Sequence, residues 1–188
     1  MDELKDYLIK LVDFTESEIE AFAALFSETQ FKKQEYLAVE GEYSTKFVFI
    51  TEGVMRAFYR NSEGSEYNKT FFTAGNFAGA YSSLVTKQKN SINIQCLTNC
   101  AVLIADYYQV TKLYDSFPKI ERFSRILAEH FFVNKEKREV ALAMLDASER
   151  YTIFQQTYPH LEHIIPQYHI ASYLGVTPTQ LSRIRAKK

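Results

Sequence analysis

The sequence predicts an α+β fold: an N-terminal β-sandwich of jelly-roll type, a long central helix and a C-terminal, winged-helix-like helix–turn–helix. Three observations carry this. Short β-prone runs recur between residues 36 and 104 at the spacing of a sandwich. Residues 119–146 then run without Gly or Pro. The last stretch, QYHIASYLGVTPTQLSRIRAKK, reads as helix, turn, helix. The expected domains are 1–117, 118–147 and 148–188. Of the 188 residues, 46% are hydrophobic and 24% charged, a balance that can bury a core. The 15 Phe and 13 Tyr suit a β-rich one.

Two helices are expected first, over 2–12 and 15–27. In the second, Thr15 and Glu18 have capping-box spacing, and Ile19, Phe22, Ala23 and Phe26 follow at helical intervals. The expected strands are 36–39, 47–51, 54–59, 69–72, 92–97 and 101–104. Turn signals separate them: Glu40-Gly41, Glu52-Gly53, Asn61 to Gly64, Ala74 to Asn76, and Thr98-Asn99. Glu40, Glu42 and Glu52 beside these glycines read as exposed turn residues rather than as a catalytic pair. Cys96 and Cys100 share one strand-like region, where their even spacing puts them on one face, too far apart to bridge readily. They read as reduced structural thiols.

Pro118 opens the central helix as a first-turn proline. Phe123, Ile126, His130, Val133, Lys137, Val140 and Met144 alternate spacings of three and four, a heptad seam. Ile120, Leu127, Phe131, Leu142 and Leu145 form a second apolar side. A helix apolar on two sides needs two partners, so a second subunit is expected along the seam, in preference to burial within a monomer. A further helix over 148–158 is expected to start at Ser148 and to stop before Pro159.

In the final segment Ile170, Ala171 and Leu174 form an apolar face, and Gly175 supplies the left-handed residue that ends the helix. Thr177 and Pro178 are suited to the start of the next helix. Leu181 and Ile184 pack back, leaving Thr179, Gln180, Ser182, Arg183 and Arg185 polar and outward. An αα-hairpin used only for packing would not require such a face. A helix that reads the DNA major groove does: Arg donates two bonds to guanine and Gln pairs with adenine. Gln167, Tyr168, Lys187 and Lys188 flank this face, the lysines suited to phosphate. Charge agrees. The net charge is −1, but residues 151–188 carry Arg183, Arg185, Lys187 and Lys188 against Glu162 alone.

The whole arrangement resembles the cyclic-AMP receptor/Fnr (Crp/Fnr) family of transcription regulators, over nearly the full chain. IASYLGVTPTQLSRIR (170–185) resembles the family's recognition unit. EGEYSTKFVFITEGVMRAFY (40–59) resembles its strand–turn–strand, and GNFAGAYSSL (75–84) its ligand cassette. The resemblance implies a cyclic-nucleotide-binding-like sensor domain, a homodimer on a pseudo-palindromic double-stranded DNA operator, and RNA polymerase as a further partner. It also implies that Thr177–Arg185 is the recognition helix, with Arg183 reading a base. One departure is informative. Cyclic-nucleotide binders carry a Glu for the ribose and an Arg for the phosphate, and residues 76–94 contain neither. Without that charge-assisted pair, cyclic AMP is not expected to bind tightly. The effector would be an unidentified small molecule among Ala78, Gly79, Tyr81, Ser82, Ser83, Ser91 and Asn93. The alternative is that these residues merely face solvent or cap turns.

Other classes fit poorly. Two cysteines are too few for the four thiolates of an iron–sulfur cluster. No His precedes residue 130, which disfavours a haem sensor and a metal-dependent cupin enzyme alike. His160 and His163 read as a polar loop. No metal, cofactor or catalytic residue is expected. The acidic N-terminus lacks a signal-peptide pattern, and no apolar run approaches the ~20 residues of a membrane span. A cytoplasmic protein is therefore expected. The competing function is a ligand- or protein-binding regulatory module that has lost DNA binding.

Overall fold

The strand Lys46–Glu52 organises the N-terminal half of the chain. Its run KFVFITE is buried over four successive residues because both of its faces are covered. Phe47 and Phe49 point to one side, and Val48 and Ile50 to the other. This period-two division generates two core layers from one strand. The computed structural model describes residues 1–186.

In chain order the elements are α1 (Asp2–Leu11), α2 (Glu16–Ala23), β1 (Ser27–Phe31), β2 (Tyr36–Ala38), β3 (Lys46–Glu52), β4 (Val54–Arg60), β5 (Glu66–Thr73) and β6 (Phe77–Gly79). Then come α3 (Tyr81–Thr86), β7 (Asn93–Cys96), β8 (Cys100–Asp106), α4 (Tyr107–Thr111), α5 (Pro118–Met144) and α6 (Ala147–Thr157). A 3₁₀ turn (Leu161–His163) precedes α7 (Gln167–Leu174) and α8 (Pro178–Ala186). The strands form two four-stranded sheets, ordered β1-β8-β3-β6 and β2-β7-β4-β5. In the first, β3 runs antiparallel to β8, pairing Phe49 with Leu103, and to β6, pairing Phe49 with Phe77.

Between the sheets lies an aliphatic layer that includes Val48, Ile50, Met55, Ile94 and Val102. On the outer face of the first sheet lies an aromatic layer, where Phe47, Phe49 and Phe77 meet Leu4 and Leu8 of α1, Phe22 of α2 and Phe123 of α5. Phe77 and Phe123 have ring centroids 5.8 Å apart, and Tyr7 meets Phe49 at 5.6 Å, both edge to face.

The chain divides into two compact units. One comprises residues 1–57 with 71–129; the other comprises 58–70 together with residue 130 onward. In the second unit Tyr151, Phe154, Leu161, Ile170, Tyr173, Leu174 and Leu181 are buried together with Ala171. Arg150 ties two helix ends there, donating to the carbonyls of Leu145 (2.5 Å) and Leu174 (3.0 Å).

Several expectations need correction. The helix expected over 15–27 ends at Ala23, and Ser27–Phe31 is a strand paired with β8. Its sequence SETQF lies at a sheet edge with mixed exposure, so it has no apolar alternation to reveal it. The N-cap of α6 is Asp146, not Ser148: its carboxylate accepts from the Ser148 and Glu149 amides, and Glu149 closes the capping box. Cys96 and Cys100 do not share one strand. They end β7 and begin β8, in different sheets, and both thiols enter the layer between the sheets. The neighbouring thiols perturb each other: Cys100 first, then burial, pushes Cys96 up, while Cys96 lowers the pKa of Cys100, whose Sγ donates to the Val54 and Thr98 carbonyls at 3.5 Å.

Candidate functional site

Two neighbouring helices of the second unit carry the candidate interface. The α7 helix is eight residues long and ends at Gly175, which has φ 68° and ψ 35°. That left-handed residue turns the chain at once. Thr177 then caps α8: its Oγ1 accepts from the Gln180 amide at 3.2 Å, and Gln180 Oε1 accepts from the Thr177 amide at 2.9 Å. This reciprocal pair is a capping box with Gln at the third position. Leu181 is fully buried against the unit's core, which fixes the rotation of α8 about its axis.

With Leu181 inward, Thr179, Ser182 and Arg183 are exposed. Among the described residues Arg183 has no carboxylate partner. Arg185 differs: its Nε lies 3.8 Å from Glu162 Oε2 and its side chain is half-buried. Glu162 is itself engaged, accepting from Tyr151 Oη at 2.5 Å and from Gln155 Nε2 at 3.0 Å. The Tyr151 bond, with Gln155 and the Arg185 charge, holds the Glu162 carboxyl below its ordinary pKa. Burial first, then Glu162, pushes the Tyr151 phenol up to about 12. Gln167 and Tyr168 are exposed at the start of α7. Of the residues expected at a DNA face, the structure groups Thr177, Thr179, Gln180, Ser182, Arg183 and Arg185 on α8 and its cap. Lys187 and Lys188 lie outside the described residues.

The heptad seam of α5 divides along its length. Phe123 is 1% exposed, within the aromatic core layer, and Ile126 packs against the same layer. Phe123 therefore belongs to the core and not to a subunit interface, a correction to the expected seam. From His130 onward the seam is exposed, with Val140 at 55% and Met144 at 77%. Phe132, adjacent to it, is 64% exposed.

The residues expected to line an effector pocket are separated by the fold. Ala78 is packed in the layer between the sheets. Gly79 faces Phe47 and Leu84 closely, so that a Cβ there would lie 3.0 Å from Phe47 Cβ. Tyr81, Ser82 and Ser91 are exposed. Ser83 and Asn93 are buried: Ser83 Oγ donates to the Gln88 carbonyl at 2.5 Å and accepts from the Ser44 amide at 3.3 Å, and Asn93 Oδ1 accepts from the Glu40 amide at 3.0 Å. Asn90 and Arg56 are among the buried polar residues that were not expected. Asn90 donates from Nδ2 to the Val39 carbonyl at 3.2 Å and leaves Oδ1 without a partner. Arg56 donates to Gln95 Oε1 from both Nε and Nη2. No sequence signal marked Arg56, which lies between the apolar Met55 and Ala57. Asn90 follows a basic loop and reads as an ordinary turn residue.

Comparisons with known proteins bear on the fold. Residues 28–117 match the family model of the cyclic nucleotide-binding domain. No curated protein sequence matches the chain. FixK2 from Bradyrhizobium japonicum superposes with a TM-score of 0.78 at 16% identity, covering 86% of this chain and 83% of its own. The c-di-GMP responsive global regulator CLP of Xanthomonas campestris gives 0.70 at 16% identity, with 92% and 91% covered. A putative Crp/Fnr transcriptional regulator from Eubacterium rectale gives 0.70 at 12% identity, with 93% and 83% covered. No helix among the described residues is long and apolar enough to cross a membrane. Residues 28–117 therefore match the cyclic nucleotide-binding domain family, and the chain has the fold of the Crp/Fnr regulators.

Proposed function

We propose that this chain is a sequence-specific, DNA-binding transcription regulator that acts as a homodimer. The observation that carries the reading is the α7–Gly175–α8 unit, whose capped second helix buries Leu181 and presents Thr179, Ser182 and Arg183. That is the shape and chemistry needed to enter a major groove by the helix N-terminal end. Arg183 offers a bidentate contact to guanine, and Thr177 and Gln167 stand near helix starts where phosphate contacts form. The α8 cap and Glu162 restrain Gln180 and Arg185, so Arg183 is the principal base reader.

The exposed part of the α5 seam supports the dimer. Val133, Val140 and Met144 would leave apolar surface in water unless a second copy covers it. A two-fold dimer would set the two recognition helices about 34 Å apart, one turn of DNA, and so select a pseudo-palindrome. Control by a small effector other than cyclic AMP is the accompanying reading, supported by the lack of Glu and Arg at 76–94 and by the buried Asn90 Oδ1 that has no partner among the described residues.

Selection of duplexes from a random library, with Arg183→Ala in parallel, tests this. A two-fold symmetric motif that the variant loses is the expected result. If no duplex is enriched, with or without a metabolite extract, the DNA reading falls. The chain would then be a regulatory module that binds a ligand or a protein.

A further inference from the structure

The tip of the β4–β5 hairpin belongs to the same compact unit as the C-terminal helices. Its flanking residues, Ala57 and Phe71, belong to the other unit. β5 is an edge strand, and its outward backbone groups need partners. Side chains from α5 and α7 supply them. Ser172 Oγ donates to the Glu66 carbonyl at 2.8 Å and accepts from the Asn68 amide at 2.9 Å. Arg138 donates to the Asn68 carbonyl at 3.3 Å and also to the Tyr173 carbonyl, while its guanidinium lies 3.7 Å from the centroid of the Tyr173 ring. The Asn68 side chain is fully buried and donates to the His169 carbonyl at 2.9 Å. Thr70 and Tyr158 share a hydroxyl–hydroxyl bond at 3.0 Å.

On α7 His169 and Ser172 contact the hairpin directly, and Tyr173 is joined to it through Arg138, the three spaced i, i+3, i+4. They form a second helix face beside the apolar face of Ile170, Ala171 and Leu174. At eight residues α7 is well short of the roughly 12–15 that an isolated helix needs. Its orientation therefore comes from what it packs against, and the hairpin tip is one of those partners.

We propose that the hairpin tip is a structural part of the helix–turn–helix, and that Asn68, Ser172 and Arg138 are positioning residues that set α7, and through the Gly175 turn α8, for reading DNA. This rests on the DNA-binding reading above.

The test uses the full chain and two variants, Ser172→Ala and Arg138→Gln, the second kept in case the first does not fold. Amide exchange and DNA affinity are measured on each. Removing the Ser172 hydroxyl takes away one bond to the Glu66 carbonyl and one from the Asn68 amide, and should speed exchange over 167–186 by about tenfold, with α1 and β3 unchanged. Affinity for the selected duplex should fall by about the same factor, while non-specific binding, which depends on phosphate contacts, falls less. Unchanged exchange over 167–186 in both variants overturns the proposal. So does faster exchange with an undiminished ratio of specific to non-specific affinity, which would make the clasp purely structural. If the unaltered protein enriches no duplex, the functional reading fails separately. Faster exchange would then still support the hairpin as part of the helical body, and unchanged exchange would remove it.

Discussion

Replacing Gly53 and Gly175 by alanine should separate two costs that the sequence alone makes look alike. Both glycines have positive φ. At Gly175 the backbone sits in the left-handed basin, and an added Cβ would meet nothing nearer than Leu142 Cδ2 at 3.7 Å. The cost of Gly175→Ala is then the left-handed penalty alone, about 1–2 kcal/mol. Asparagine tolerates that basin, so Gly175→Asn should recover part of the loss. At Gly53 φ is 97°, and a Cβ would lie 2.7 Å from Cys100 Sγ and 2.9 Å from Cys100 Cα, and would also clash with the Asn99 carbonyl oxygen. Those atoms are backbone and buried core, with nowhere to swing. Overpacking of about 1–3 kcal/mol adds to backbone strain of similar size, roughly 2–6 kcal/mol in all. Thermal unfolding followed by circular dichroism gives the readout, at roughly 2–4 °C per kcal/mol for a chain of this length. Gly53→Ala should lower the midpoint roughly two to three times as far as Gly175→Ala, and Gly53→Asn should recover nothing. Equal losses at the two sites, or a tolerated Gly53→Asn, would refute the steric argument.

Arg183→Ala should cost about 1–3 kcal/mol of specific DNA affinity and relax one base position, read by competition among single-base operator variants. The unaltered chain should scatter light as the proposed dimer at micromolar concentration, and Val140→Glu should scatter as a monomer, because a charge replaces an exposed apolar seam residue. Thr177→Ala and Asp146→Ala each remove a side-chain cap and should cost about 1 kcal/mol in urea unfolding. Glu162 has a lowered pKa in the folded state, so its stabilising contribution is complete above the ordinary carboxylate range and is lost as pH falls through the lowered value. Glu162→Gln should therefore destabilise at neutral pH and converge on the unaltered protein in strong acid; a constant difference across pH would exclude the ionic role.

The elements that were legible share a simple cause: one residue pattern satisfied one demand. The Thr15–Glu18 capping box, the apolar KFVFI run and Gly175 before Thr177 each fulfil local chemistry, and each appears where it was expected. The strand β1 was not legible because SETQF alternates no apolar residues; its place comes from the partner β8. The cysteine pair failed for a related reason. Even spacing implies a shared face only within one continuous strand, and the turn at 97–99 sends Cys100 into the other sheet. Phe123 shows the limit of periodicity. The heptad repeat is continuous from Phe123 to Met144, but only the segment from His130 lacks a partner, and nothing in the repeat marks where the aromatic core layer ends.

The candidate site divides along the same line. Which residues of α8 face outward follows from burying Leu181, so the polar face was readable from spacing. Which of them are available to DNA was not, because that depends on partners distant in sequence. Gln180 is drawn into the cap of its own helix, and Arg185 leans toward Glu162, 23 positions earlier in the chain, whose carboxylate Tyr151 and Gln155 already orient. Two of the polar side chains that looked equivalent in sequence are thus restrained by the fold, and Arg183 is the exposed guanidinium without a carboxylate partner among the described residues. The hairpin follows the same logic at longer range. Asn68 lies 104 positions before Ser172, so no local pattern could join them, although His169, Ser172 and Tyr173 already stand at the i, i+3, i+4 spacing of a second packed face on α7. A short helix with two occupied faces has little freedom to reorient. On the proposed DNA-binding reading, α8 is therefore held by residues that contact no base, and specificity should be as sensitive to Ser172 as to the outward side chains of α8.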